Sequence, residues 1–465
     1  MALSSALFSG ISGLNTIGNA MQVIGDNIAN VNTIGFKGST FTFQDLLSQN
    51  ISTMSGTAQV GRGSAMGDIY ASYEQGSFES TGSTTDLAIG GAGFFVLRES
   101  TSETNYYTRA GNFRFNKDGF LVNPEGYVVQ GWELDENGED VGSIDDVVLD
   151  SFTSPPQATT NTEIIVNLDS DGTDNSVGAN ALSLAWDGTD PTPLGEAAYE
   201  YQTTLKVYDS LGSTHDVTIY FDKGAVNSTY EYIVTCNPAE DDRTVTVASH
   251  LGLLGRGLIT FNTGSGVITD IDLTLDNGTA TWPAAESTYS NGYFVFHPEF
   301  IGGNPMAVEL DFGSRFDGAS WVNGSLATTQ FARPSTTTFQ AANGYGAGDL
   351  QGVNVDVDGV ITGSYSNGQL IPLFRVSLAK FQNNLGLLKE GGNLFKSTRD
   401  SGDAITNRPG TNGLGSIAPN SLEQSNVDMA TEFVKMITTQ RGYQANSKVI
   451  TVTDAMLQEL INLKR

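Results

Sequence analysis

This sequence predicts a mainly β chain with long α-helical termini, nested so that its two ends meet. Three observations carry the prediction. Apolar residues recur at heptad spacing at both ends. Strand and turn signals fill almost everything between, and 54 of the 465 residues are glycine, which favours turn-rich β structure over helical bundles. Two strand-rich segments, 86–150 and 341–385, flank a block that opens at Pro155-Pro156 and closes at Arg333-Pro334, as an insertion into a host domain would.

The N-terminal stripe runs Leu3, Leu7, Gly10, Leu14, Ile17, Met21, Ile24, Ile28, in alternating steps of four and three. It predicts one helix over 4–31, capped by Ser4 or Ser5 and left at Gly35. Gly10, Gly13, Gly18 and Gly25 lie inside it; each costs about 1 kcal/mol against Ala, so the helix is weak alone and open to close approach by a neighbouring backbone. The C-terminal stripe, from a cap at Ser425 or Asn426, runs Met429, Phe433, Met436, Gln440, Tyr443, Ser447, Ile450, Asp454, Leu457, Ile461, with three polar breaks and an expected end at Leu463. The two stripes suit each other, or copies in neighbouring molecules. The expected interface between copies is therefore Leu7, Leu14, Ile17, Met21, Ile24 and Ile28 with Met429, Phe433, Met436, Tyr443, Ile450, Leu457 and Ile461.

Between the ends, 36–85 and 386–424 read as extended connectors, rich in Ser, Thr and Gly or irregular. Residues 1–35 and 425–465 form the terminal helical core domain, paired in a coiled-coil-like manner. Residues 86–150 and 341–385 form one discontinuous β domain, with turns at Lys117-Asp118-Gly119 and Asp358-Gly359. Residues 151–340 form an inserted all-β domain of one lobe or two.

The formal net charge of -29 argues against nucleic acid and anionic membranes as partners. Residues 151–340 hold 23 acids and 6 bases, whereas 1–36 hold only Asp26. Nearly neutral ends can pack together while an acidic middle stays solvated. Cys236 is the single cysteine, so no internal disulfide is possible. The N-terminus lacks the basic start and unbroken apolar run of a secretory signal, and no apolar run is long enough to span a membrane.

Catalytic chemistry finds no support. His215, His250 and His297 are far apart, without metal-ligand spacing. There is no nucleophile elbow and no phosphate loop. Asn354–Gly359 begins like a calcium loop, but its twelfth position is Tyr365 where a bidentate Glu is required; the alternating valines make it a strand entering a hairpin. The acidic stretch 169–174 reads as a solvated turn more than a weak calcium site. No catalytic residue, metal or cofactor is expected.

Two terminal signatures carry a resemblance. Asn27-Ile28-Ala29-Asn30-Val31-Asn32-Thr33-Ile34-Gly35-Phe36-Lys37 resembles the N-terminal signature of the bacterial flagellar axial proteins, the rod and hook subunits. The tail from Glu423 to Met429 and from Gln440 to Asn446 resembles their C-terminal signature, and Asp86–Val96, Tyr107–Phe113 and Gly126–Trp132 resemble their shared β strands. Val207-Tyr208-Asp209-Ser210-Leu211-Gly212-Ser213-Thr214-His215 is similar to the start of the hook middle domain, so the resemblance is to hook subunits, with a distal rod subunit as the alternative. It implies a structural protein and no enzyme: a helical homopolymer forming a curved hollow tube, the universal joint that passes torque from rod to filament. The implied partners are copies of itself, the distal rod, the hook cap and hook-filament junction proteins, the flagellar type III export apparatus and the hook-length control protein. The implied place is outside the cell, attached to the basal body, reached without a cleaved signal peptide. A secreted β-rich hydrolase or sugar-binding module is the reading from another class.

Overall fold

The computed structural model describes residues 2–53, 56–99, 102–135, 137–149, 152–279, 282–283, 285–286 and 289–462. Three α-helices occur among them: α1 (Ala2–Ala29), the one-turn α2 (Ala181–Leu184) and α3 (Met429–Asn462). Leu463, expected to end α3, and the side chain of Leu3 lie outside the described residues. Short strands joined by turns and loops make up the rest. The chain forms two compact units, one of Met1–Phe152, Leu350–Ser364 and Gln369–Arg465, the other of Thr153–Asp349 and Tyr365–Gly368.

In the first unit α1 and α3 pack along each other in antiparallel order. A side chain at Gly10 would lie 3.1 Å from Ile450, one at Gly13 2.9 Å from Asn446, and one at Gly442 3.2 Å from Ile17. Absence of Cβ atoms at these crossings brings the helices close. The α3 cap is Asp428, whose carboxylate accepts from the Thr431 amide at 2.9 Å; the Thr431 hydroxyl and amide hold its pKa below the usual carboxylate range. Asn426, an expected cap, is engaged instead with Gly38, Ser72 and Glu74.

Most strands of this unit belong to one long sheet. Strand Val128–Leu134 pairs with Phe94–Arg98 through Val128 and Val129 and, further along, with Leu370–Val376 through Gly131–Glu133, Trp132 opposite Arg375. Segments more than 200 residues apart thus share one sheet. Leu87, Phe95, Val129, Ile361, Val376 and Leu378 fill its core.

The two stretches read as connectors are built in. Ser39–Asp45 and Ser64–Ala71 form an antiparallel hairpin, Phe41 opposite Ile69, that lies on α1: the Thr16 hydroxyl donates to the Ser64 carbonyl at 3.1 Å. Ser416–Pro419 pairs with Leu87–Gly90 and Ser421–Glu423 with Phe78–Ser80. Leu394, Leu414 and Ile417 join the β core. Strands of three or four residues show too little alternation to be read in sequence.

The second unit packs a six-stranded sheet, from Tyr201–Tyr208 through Ile268–Ile271, on a five-stranded one containing Asn161–Asp169 and Thr336–Ala342. One core joins both: Ile164, Val166 and Leu168 meet Val217, Ile219, Phe221, Tyr230 and Tyr232. Inward Val217, Ile219 and Phe221 alternate with more exposed neighbours, the two-residue period of a half-buried strand. Strand Thr229–Cys236 is buried throughout, because Ile233 faces a second cluster with Leu182 and Trp186.

Candidate assembly interface

The expected interface residues divide into those α1 and α3 bury against the chain itself and those left open. On α1, Ile24 is buried, while Leu7, Leu14, Ile17, Met21 and Ile28 are half-buried. On α3, Met436, Ile450 and Leu457 are half-buried, and Met429, Phe433, Tyr443 and Ile461 are exposed. Gly10 of the stripe is buried, as are Gly13 and Ala20 on α1 and Thr453 on α3, with Asn446 half-buried. An apolar period does not register such small and polar residues; of the four glycines of α1, Gly10 and Gly13 were the signal for them. Of the polar breaks, Gln440 and Asp454 are exposed and Ser447 is half-buried.

Much of the pair's apolar surface remains in solvent. Phe8 is 70% exposed, and Ile11, Val434, Ile437, Val452 and Met456 are exposed as well. Gly18 and Gly25 face open space, with nothing within 4 Å of where a Cβ would stand. Exposed apolar patches of this extent mark interaction sites.

Below the helices, the signature segments converge on one buried ionic junction. Glu423 is fully buried, Lys37 is 1% and Arg109 4% exposed. The Lys37 ammonium is 2.7 Å from Glu423 Oε1 and also donates to the Glu74 carbonyl at 2.7 Å. Arg109 Nη1 lies 3.2 Å from Glu423 Oε2, Nη2 donates to the Gly91 carbonyl at 2.8 Å, and the guanidinium sits 5.4 Å from the Phe94 ring centre. The Gly76 amide donates to Glu423 Oε1 at 2.9 Å and the Gly35 amide to the Glu423 carbonyl at 2.7 Å. Burial pushes both cations toward lower pKa, opposed by the Glu423 charge.

Neighbouring side chains fix the chain around this charge. Asn27 of α1 brackets Ser39, donating to its carbonyl at 2.9 Å and accepting from its amide at 2.8 Å. Asn426 accepts from the Gly38 amide at 2.9 Å. Gly35 has φ +67°, and a Cβ there would meet the Ala110 amide at 2.6 Å, so no other residue fits. The junction ties the chain leaving α1, the chain entering α3 and the β sheet to one carboxylate. Sequence reading marked these residues as signature but found no partner for any of them.

Several titratable groups of the second unit are engaged structurally. His215 stacks on Phe300 with ring centres 3.8 Å apart, its Nδ1 2.7 Å from Glu240 and its Nε2 3.4 Å from Asp209. In the acidic turn, Lys223 donates to the Ser170 and Gly172 carbonyls at 2.8 and 2.9 Å. Burial pushes the Cys236 thiol up to about 12. Asn354–Gly359 forms the strand end and turn of a hairpin, the Asp356 carboxylate accepting from the Asp358 and Val360 amides. Among the described residues no group of three or more His, Cys, Asp or Glu is placed to hold a metal, and no helix is long and apolar enough to cross a membrane.

Four family profiles match in chain order. They are described as flagella basal body rod protein over residues 7–37, flagellar hook protein FlgE/F/G D1 domain over 88–178, flagellar basal body protein FlaE D2 domain over 167–345, and flagellar basal body rod FlgEFG protein C-terminal over 418–463. The flagellar hook protein FlgE of Borreliella burgdorferi is 35% identical over 481 residues, covering 99% of each chain. That of Treponema pallidum is 33% identical, again over 99% of each, and that of Escherichia coli 29% identical over the whole of both. With this coverage from end to end, the chain belongs to the flagellar hook protein FlgE family.

Proposed function

We propose that copies of this chain build a curved hollow tube, the universal joint of the flagellum, through the surfaces of α1 and α3. The observation that carries this reading is the helix pair itself: α1 and α3 pack together and still leave Phe8, Ile11, Phe433, Ile437 and Tyr443 in solvent. Two helices already paired need no further partner of their own chain, so the remaining apolar surface is for other copies. Half-buried Leu14, Met21, Ile28, Met436, Ile450 and Leu457 sit at the edges of the pair and complete the contact. The acidic block 151–340 keeps contacts elsewhere polar and able to slide as the tube bends. The protein is structural and carries no reaction. Its other partners are the distal rod, the hook cap, the hook-filament junction proteins, the type III export apparatus and the length-control protein, and it works outside the cell after export without a cleaved signal. Electron micrographs of the purified protein, polymerised in vitro, test the reading. Curved tubes with a central channel are expected; particles that stay monomeric or clump without order would overturn it.

A further inference from the structure

Where α1, α3 and the hairpin meet, a groove of about 410 Å³ opens. Its floor is Gly13, where a Cβ would stand 2.9 Å from the Asn446 carboxamide. Ser9 and Ile17 of α1, Phe43 and Ser64 of the hairpin and Asn446 of α3 form its walls. None of them is charged. The Asn446 carboxamide, half-buried, has no hydrogen-bond partner among the described residues, and Phe43 keeps about half of its surface in solvent. The groove is therefore formed but unfilled, part apolar and part polar.

The same hairpin carries a knob. Leu47 stands on the loop after Ser39–Asp45 and is 88% exposed, more than any other large apolar side chain described. The loop is tied at the residue before it, the Leu46 amide donating to the Gly63 carbonyl at 3.1 Å. A leucine left in water adds no apolar burial to the monomer.

We infer that Leu47 of one copy seats in the Ser9–Gly13–Asn446 groove of the next. Knob and groove are different patches of one molecule. A contact between unlike patches is heterologous: it leaves a free knob at one end and a free groove at the other, and repeats into an open helix instead of closing a dimer. The uncharged lining fits a leucine, and the exposed α1 and α3 surfaces run on from the groove's rim. This inference rests on the tube-building reading above and adds to it a contact that the helical seams do not contain.

Single-cysteine variants test it. Cys236 is buried and its thiol is held at about 12, so it does not compete. Ser9→Cys and Leu47→Cys chains, differently tagged, are mixed, polymerised and oxidised; each carries one new thiol, so any disulfide joins two copies. A link between unlike chains is expected, with little between like chains. Alongside, Leu47→Ser should raise the critical concentration for polymerisation by about tenfold or more, as loss of one buried leucine contact implies, while Leu47→Met leaves it near the wild-type value. Polymers without the mixed link, a dominant Ser9→Cys homodimer, or Leu47→Ser chains that polymerise like wild type would each overturn the knob and groove. If wild-type chains form tubes and these results are negative, only this contact fails. If wild-type chains form no tubes, the assembly reading fails, and this contact with it.

Discussion

The terminal helix pair and the Thr153–Asp349 unit use their apolar residues in opposite ways. In the second unit the apolar positions of two sheets face one another and are consumed: the rings of Phe221, Tyr232 and Phe312 meet tilted or edge to face, with centres 5.2 to 6.4 Å apart, in a core closed to water. Its surface carries the acids. In the pair, a 28-residue helix with four glycines meets a 34-residue helix, and large uncharged side chains remain outside the contact. One region finishes its core alone. The other is finished by its neighbours, because helices of this composition owe their order to packing more than to propensity. Function in a polymer subunit is therefore to be sought where the core is incomplete.

The largest effect is expected at the junction joining the pair to the sheet. Glu423→Ala leaves Lys37 and Arg109 buried without their counter-charge, and breaking a buried pair in this way costs about 3–5 kcal/mol. Trp132 is the tryptophan of the first unit, and Trp186, Trp282 and Trp321 belong to the second. Denaturant titration of variants keeping only Trp132, or only the other three, reads the units apart. The first unit should unfold at lower denaturant and the second unchanged. A shift of both together would break the separation of the two regions.

Phe221→Ala sharpens the contrast from the other side. Phe221 is fully buried, and its truncation should cost about 3–5 kcal/mol, confined to the second unit. Tubes should still form below the temperature at which that unit melts. Loss of tubes from a folded variant would show that assembly also needs the acidic unit.

Leu457→Asp should cost the monomer less, about 1–3 kcal/mol for a charge set at a half-buried position, and yet abolish polymerisation. Circular dichroism close to wild type with no tubes in electron micrographs is the expected pair of results. Normal tubes from this variant would mean that the α3 surface does not join copies.

Helices were the most legible part of the sequence. The spacing places the first at 4–31 and the structure at Ala2–Ala29. The start of α3 was less so, because the side chain of Asn426, read as a cap, is taken by Gly38 and Ser72, which nothing local discloses. The seam was legible as a stripe but not in full: Gly13, Ala20 and Thr453 are buried too, and small or polar residues leave no mark in an apolar period. The junction was not legible at all. Lys37 and Glu423 are 386 residues apart, and only the folded sheet shows that one carboxylate answers two cations. In the second unit the alternation of Val217, Ile219 and Phe221 was plain, since a strand with one buried face writes its period directly into the sequence.

The smallest effect concerns pH and belongs to the self-contained unit. Glu231 is buried on strand Thr229–Cys236, its carboxylate accepting from the Asn180 amide at 2.6 Å and the Leu182 amide at 3.4 Å, at the start of α2. Burial raises its pKa, with Asp222 and Asp174 adding to the rise against those two amides. A carboxyl whose folded pKa lies above its unfolded value binds its proton more tightly when folded. Its contribution to stability is present in full below the unfolded pKa and is lost as pH climbs through the folded one. Glu231→Gln keeps the shape and cannot ionise. The stability difference between variant and wild type, read on the second unit by its three tryptophans, should therefore move in favour of the variant as pH rises from 4 to 7. A difference that stays constant, or moves toward wild type, would mean that the α2 amides stabilise the ionised carboxylate by more than burial disfavours it.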